Sequence, residues 1–338
     1  MIKNIIVWDL GATKCAIAVV TYDTKTQELI TKIHANIKLT ACHSLSELIQ
    51  NIEKALHMRM QDADAICIGA AGIFDGDYLN LEAGYPYEMP LGVLAKSLKW
   101  PRYAVIHDYA PIVCSTFTPH VEHSDAVKKL NNRSGNPLGR RVALGVGTGL
   151  GLKDGVLFPD GNFWLGTNEM GHIGICQPPR IEKKYQDRHE ALINYMIQNS
   201  LLADNETVTF EKILSGKGML RLHHFLHPEN SANTPEEMGA QIQAGKAPDT
   251  LALFAWYLGL FVGTVQLALM PDGGIWMTGG VVSSYLELFD HAEFWQGVEV
   301  SPAYLLERRQ FPMAVMRSNG HAFMGGAYYA VKRLLDVL

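Results

Sequence analysis

The chain has 338 residues, 48% of them hydrophobic and 19% charged, the proportions of a globular protein long enough for two domains with substantial cores. Its net charge of −5 argues against a nucleic-acid partner, which would ordinarily leave a basic surface. The five cysteines, at positions 15, 42, 67, 114 and 176, form neither a CxxC pair nor a metal-binding spacing, which fits a reducing compartment rather than a disulfide framework.

The N-terminus, Met1-Ile2-Lys3-Asn4, enters a strand directly and shows no signal-peptide cleavage pattern, so a cytoplasmic protein is expected. Three strands in meander order follow, over Asn4–Asp9, Lys14–Tyr22 and Glu28–Ala35. The first turn between them reads Asp9-Leu10-Gly11-Ala12-Thr13. An amphipathic helix is expected near Ser44–Met58, with Leu45, Leu48, Ile49 and Ile52 on one face. Short apolar strands then recur at Ala65–Gly69 and Tyr103–Ile106.

The polar stretch Glu122–Arg140 reads as a loop or excursion between halves. From Arg141 the order restarts, with Val142–Val146, the turn Gly147-Thr148-Gly149-Leu150-Gly151, and a second strand through Phe158. Both glycine turns read as hairpins, because apolar runs flank them on each side. Glycine lets successive N–H groups converge on one anion, and the threonine hydroxyl adds a donor. Two such turns in separate halves suggest two domains clamping one polyphosphate.

Thr250 to Met270 runs for 21 residues without a charged side chain, long enough to span a bilayer. It contains Trp256, Tyr257, Gln266 and two glycines, lacks a basic flank, and is broken by Pro271-Asp272-Gly273-Gly274. A buried central helix is therefore expected, and no membrane partner. The final stretch, Ala322–Leu338, reads as an amphipathic helix able to return to the first domain. His223, His224 and His227 beside Pro228 read as a solvated helix end, and His120 with His123 as a loop pair; neither group has the partners of a metal site.

Several nucleotide-binding folds are excluded. No Gly-x-x-x-x-Gly-Lys-Ser/Thr string exists. Glycines 145, 147, 149 and 151 recur at period two and precede no helical pattern, unlike the dinucleotide fingerprint. Protein-kinase signatures are absent as well.

The Asp-x-Gly-x-Thr hairpin, the Gly-Thr-Gly-x-Gly hairpin and the late turn Thr278-Gly279-Gly280 form an ordered triplet that resembles the sugar kinase, actin and heat-shock ATPase superfamily. More narrowly the chain is similar to bacterial glucokinases of the zinc-free type. The supporting pieces are Ile106-His107-Asp108-Tyr109, Asn168-Glu169-Met170-Gly171-His172, Phe210–Gly216 and Gly325-Gly326-Ala327, in order over nearly the whole length. Departures from the family pattern are Ala12 for a glycine, Lys14 for an asparagine, His107 for the asparagine before the aspartate, and the segment Asn80–Met89.

The resemblance implies a two-domain actin-like ATPase (ribonuclease H-like) α/β fold, with duplicated mixed-sheet domains and an active-site cleft between them. It implies domains at 1–109 with 325–338 and at 110–324, a homodimer, a small sugar substrate, and ATP with Mg²⁺. Asp108 would be the catalytic base that takes the hydroxyl proton. By local sequence alone, a helix cap at a strand-to-helix junction is the better reading of Asp108, and the resemblance reverses that order. His107, Asp108, Glu169, His172 and Glu211 would hold sugar hydroxyls; the plainer alternatives are a polar loop for Glu169 and His172 and an exposed helix position for Glu211.

Asp9 would hold Mg²⁺ through water, since Mg²⁺ keeps most of its hydration shell. Thr13, Thr148 and Gly149 would contact phosphate oxygens, Gly11, Ala12 and Gly147 would line the same nucleotide site, and Lys14 would either reach a phosphate or be a surface charge. Gly279 and Gly280 would lie against the nucleoside, which is compatible with a simple strand-to-helix turn. The expected activity is glucose 6-phosphorylation. The alternatives are a kinase for another hexose or amino-sugar, or a weakly catalytic sugar- or nucleotide-binding regulator.

Overall fold

The computed structural model describes residues 1–11, 13–81, 85–123, 125–175, 183–203, 205–230, 232–317 and 320–335. Ala12, Cys176 and residues 82–84 of the divergent 80–89 segment lie outside the described residues. Compactness divides the chain into two units: Met1–Lys128 with Leu157–Leu165 and Met316–Leu338, and Lys129–Val156 with Gly166–Val315.

The first unit is built on β1 (Ile2–Leu10), β2 (Lys14–Asp23), β3 (Glu28–Lys38), β4 (Ala65–Ala70) and β7 (Arg102–His107), in sheet order β3-β2-β1-β4-β7. β5 (Gly72–Phe74) and β6 (Leu79–Leu81) form a separate small hairpin. The three-strand meander is antiparallel, and β4 and β7 then add in parallel. Alternation along β1 serves two faces. Ile6, Trp8 and Leu10 meet Leu45, Leu48, Ile49 and Ile52 of α1 (Leu45–Leu56). Ser44 caps α1 by accepting from the Glu47 N–H at 3.1 Å, while the Glu47 carboxylate reaches back to accept from the N–H of His43, the residue before the cap.

Ile5 and Val7 face the other way, with Ala18 and Val20, onto Phe323, Ala327, Ala330 and Val331. Those four belong to the C-terminal helix, Gly320–Arg333, which does pack on the first unit. α2 (Leu91–Ser97) and α3 (Tyr109–Ser115) complete the unit's helices before that one. The boundary expected after Tyr109 therefore falls inside α3, within the first unit. In the stretch expected to be loop, Val127–Lys129 forms a three-residue strand, β8, and Ala126 and Val127 are buried. Its short apolar segment, Ala126-Val127, was masked by the polar residues around it.

In the second unit β9 (Arg141–Val146) pairs antiparallel with β10 (Leu150–Leu157). β11 (Phe163–Leu165) falls in the first unit's share of the chain, and the strands β12 (Gly274–Thr278) and β13 (Met313–Met316) extend the sheet in parallel from β9. This repeats the first unit's pattern: a hairpin whose first strand is flanked by a parallel strand. The helices are α4 (Lys183–Gln198), α5 (Phe210–Ile213), α6 (Gly216–Leu226), α7 (Pro235–Gln243), α8 (Pro248–Leu269), α9 (Gly280–Ser284), α10 (Ala292–Val298) and α11 (Leu305–Arg308); the C-terminal helix is α12.

α8 is the apolar 22-residue segment, and 78% of its most apolar window is buried inside the protein, as expected of a core helix. Two of its buried polar residues find partners on other helices. Gln266 accepts from the buried Arg308 Nε at 3.1 Å, and Thr250 Oγ1 lies 3.1 Å from His223 Nδ1. This corrects the reading of the histidine cluster. His223 is fully buried, with Nε2 at 3.1 Å from Gln241 Oε1, because both partners come from helices distant in sequence. His120 and His123 flank a short turn, and the His120 ring stacks edge-on against His321 at 4.9 Å.

Candidate functional site

In the first unit, Asp9 sits at the penultimate position of β1, opposite Gly69 of β4. The turn after it closes with the Gly11 N–H donating to the Lys14 carbonyl at 3.0 Å, leaving Thr13 and Lys14 exposed. Burial first, and then the charge of Asp108, push the Asp9 carboxyl up to about 6, with Lys14 partly offsetting them. Asp9 and Asp108 thus share one electrostatic environment.

Asp108 follows β7 directly, its N–H donating to the Ala70 carbonyl at 3.1 Å. Its side chain caps α3: Oδ1 accepts from the Tyr109 N–H at 2.9 Å. His107 Nδ1 stands 2.9 Å from the same Oδ1. Nδ1 also lies 3.2 Å from the Tyr109 N–H. The Tyr109 N–H thus faces both Asp108 Oδ1 and His107 Nδ1: an unprotonated Nδ1 accepts from Tyr109, whereas a protonated Nδ1 donates to Asp108. With Nδ1 protonated, Nε2 of the neutral ring is left as an acceptor. The capping role weighed for Asp108 is realised, and it orients the carboxylate without consuming it: about a quarter of the side chain remains exposed.

In the second unit the β9–β10 turn closes with the Gly147 N–H donating to the Gly149 carbonyl at 3.0 Å, and Thr148 is exposed at its tip. The Gly147 carbonyl accepts from the Gly216 N–H at 2.8 Å, which brings the start of α6 to the turn. Gly280 comes close as well: a Cβ on Gly147 would lie 3.8 Å from its nitrogen. Gly279 has φ +102°, and a Cβ there would lie 2.3 Å from the Val146 carbonyl oxygen, so only glycine fits. Three peptide turns therefore meet in one place, with the Gly147 and Gly216 N–H groups spent on carbonyls that tie the turns together.

Beside that turn lie the three acidic and imidazole candidates. His172 Nδ1 is 3.1 Å from Glu211 Oε2, and His172 Nε2 is 4.0 Å from Glu169 Oε2. Glu211 Oε1 would lie 2.7 Å from a Cβ on Gly149. Glu169 and His172 are well exposed and Glu211 half-buried, so all three can reach a solvent-borne ligand. Such a set offers acceptors for several hydroxyls and an imidazole whose orientation is fixed by one carboxylate.

Sequence reasoning missed Gly216 as a partner of the Gly147 turn, and the buried Asp154 with the half-buried Asn168 behind Glu169. The only sequence signal for Asp154 is that Lys153-Asp154 interrupts an otherwise apolar strand. No group of three or more His, Cys, Asp or Glu residues poised for a metal occurs among the described residues.

Comparison with known proteins accounts for this arrangement. A family model described as Glucokinase matches residues 6–333. A glucokinase of Saccharophagus degradans is 22% identical over 302 residues, covering 83% of this chain and 88% of its own. Among solved structures, a glucokinase from an Antarctic psychrotroph superimposes with a TM-score of 0.78 at 18% identity, covering 96% of this chain and 98% of its own. A ROK family glucokinase from Streptomyces griseus, in complex with glucose and AMPPNP, gives 0.58 at 16% identity, with 97% of each chain covered. The structural likeness shows the actin-like ATPase fold of sugar kinases, and the family match over nearly the whole length shows that the chain belongs to the glucokinase family.

Proposed function

We propose that this sugar kinase transfers the γ-phosphate of ATP to the 6-hydroxyl of D-glucose, with Asp108 as the base. The observation that carries the reading is the carboxylate at the end of β7, held by the Tyr109 N–H and His107 Nδ1 while remaining partly open. A carboxylate so held can accept the hydroxyl proton as the oxygen attacks phosphorus. Glu169, His172 and Glu211 bind and orient the sugar hydroxyls in this reading. Thr13, Thr148 and Gly149 receive phosphate oxygens in this reading, and Gly279-Gly280 lies against the nucleoside.

The Asp9 carboxyl, raised by burial and by Asp108, fits a hydrated Mg²⁺, because a divalent cation relieves the repulsion between two neighbouring carboxylates. Mg²⁺ bound there supplies charge neutralisation for the transferring phosphoryl group. The same reading includes a cytoplasmic homodimer, supported by the family alone. Formation of glucose 6-phosphate from glucose and Mg·ATP, followed with a coupled dehydrogenase, tests the assignment. Absence of that product with a folded enzyme refutes it.

A second reading has its own observation. His107 stands where the family has an asparagine, and its Nδ1 is engaged by Asp108. The neutral ring then presents only an acceptor, where an amide presents both a donor and an acceptor. A different hexose or an amino-sugar is the preferred substrate if that position reads the ring hydroxyls.

A further inference from the structure

A buried carboxylate lies behind the sugar-binding loop of the second unit. Asp154, in the middle of β10, is 3% exposed, and apart from the buried Lys153 its strand neighbours are apolar or glycine. Burying a carboxylate is costly unless partners hold it. Its Oδ1 accepts from Asn168 Nδ2 at 3.2 Å, and its Oδ2 lies 3.7 Å from Arg140 Nε. Its own carbonyl accepts from the Gly166 N–H at 2.9 Å, and a Cβ on Gly166 would lie 2.1 Å from Oδ1. The carboxylate is therefore pressed against the peptide that starts the loop.

The loop is tied a second time to the same strand. A Cβ on Gly171 would lie 2.5 Å from the Leu150 carbonyl oxygen, so the turn over Met170–His172 rests on the start of β10. Between the two ties stands Glu169, its side chain exposed, and His172 belongs to the second, its ring also held by Glu211 Oε2 at 3.1 Å. Asn168 Oδ1 faces the Met170 N–H at 3.5 Å, which carries the Asp154 contact across Glu169.

We propose that Asp154, acting through Asn168, is a positioning residue that holds Glu169 and His172 in sugar-binding geometry and so sets sugar affinity. The proposal rests on the assignment of those two residues to the sugar. Asp154 touches no substrate. Its charge matters because an anionic acceptor beside Arg140 keeps the Asn168 amide in one orientation, with Nδ2 inward and Oδ1 toward Met170.

The test compares Asp154→Asn, Asn168→Ala and the reciprocal swap Asp154→Asn with Asn168→Asp, which restores an amide-to-carboxylate bond in the opposite sense. Each is assayed for the KM of glucose, the KM of ATP, kcat, melting temperature and glucose binding by calorimetry without nucleotide. Asn168→Ala keeps the Asp154–Arg140 contact, so it reports on the tie even if Asp154→Asn folds poorly. The expected result for both single variants is a rise of about tenfold in the glucose KM and Kd, as for loss of one charge-assisted bond. The ATP KM stays within about twofold, and the swap recovers much of the loss, the signature of direct coupling.

Unchanged glucose affinity in the single variants overturns the proposal, as does a drop in melting temperature with both KM values moving together and no recovery in the swap. Glu169→Gln separates the two layers of the argument. If it raises the glucose KM while Asp154→Asn does not, the positioning role alone is wrong. If neither does, the sugar assignment falls with it.

Discussion

His172 Nδ1 stands 3.1 Å from Glu211 Oε2, although 39 residues separate them in the chain, and the other oxygen of that carboxylate covers Gly149. One carboxylate thereby fixes an imidazole and packs on the Gly147–Gly149 turn. A Cβ on Gly149 would lie 2.7 Å from Glu211 Oε1. Gly149→Ala should displace the end of this flexible side chain at small cost to stability. The glucose KM should rise by about tenfold through loss of the Glu211–His172 contact. Steady-state kinetics with a parallel thermal melt checks this; an unchanged glucose KM would show that the contact does not matter for the sugar.

Asp108→Asn keeps the acceptor that caps α3 and removes the basic oxygen. Turnover should fall about 100-fold or more, within the range of general-base catalysis. Glucose binding, measured by calorimetry, should change by no more than a few-fold. Turnover retained at near wild-type level would remove Asp108 from the role of base.

His107→Asn replaces an imidazole acceptor with an amide that both donates and accepts. The ratio of kcat/KM for glucose to that for mannose and glucosamine should shift, because buried polar pairing with a hydroxyl discriminates more strongly than shape. Equal ratios in both proteins would eliminate the argument that this position selects the sugar.

The carboxyl of Asp9, pushed up to about 6 from its usual 3.8, has a consequence for stability. Below 3.8 both folded and unfolded chains carry the proton. Between 3.8 and 6 the unfolded chain loses it first, so stability falls across that window as pH rises, and stays lower above 6. The penalty is at most about 3 kcal/mol at pH 7, at roughly 1.4 kcal/mol per pH unit. Asp9→Asn should therefore melt higher than wild type at pH 7.5, with the gap closing toward pH 4. Millimolar Mg²⁺ should narrow the gap at pH 7.5 by stabilising the ionised wild-type carboxylate. A gap independent of pH would contradict the raised pKa.

The parts of the fold legible in the sequence are those written in local periodicity. The first three strands extend only slightly past their expected ends, to Leu10, Asp23 and Lys38, and α1 begins one residue after its expected start at Ser44. α8 was readable as a core helix because Gln266, Trp256 and its glycines are poor lipid-facing residues and no basic cluster flanks it. What stayed hidden depended on partners far along the chain. His223 looks solvated beside His224 and Pro228, yet Thr250 and Gln241 bury it from two other helices. Asp154 looks like a surface charge until Asn168 and Arg140 close over it. The short strand β8 was hidden because two apolar residues amid polar neighbours carry too little pattern. In the site, motif order named Glu169, His172 and Glu211, but only the structure brings their side chains together.

The most direct measurement is ADP release from Mg·ATP by the purified protein, with glucose set beside mannose, fructose, glucosamine and N-acetyl sugars. Turnover with glucose at the highest kcat/KM of the set, abolished in Asp108→Asn, is the expected result. No turnover with any sugar, while the protein binds glucose and nucleotide, would contradict a kinase and leave a sugar-binding regulator in its place.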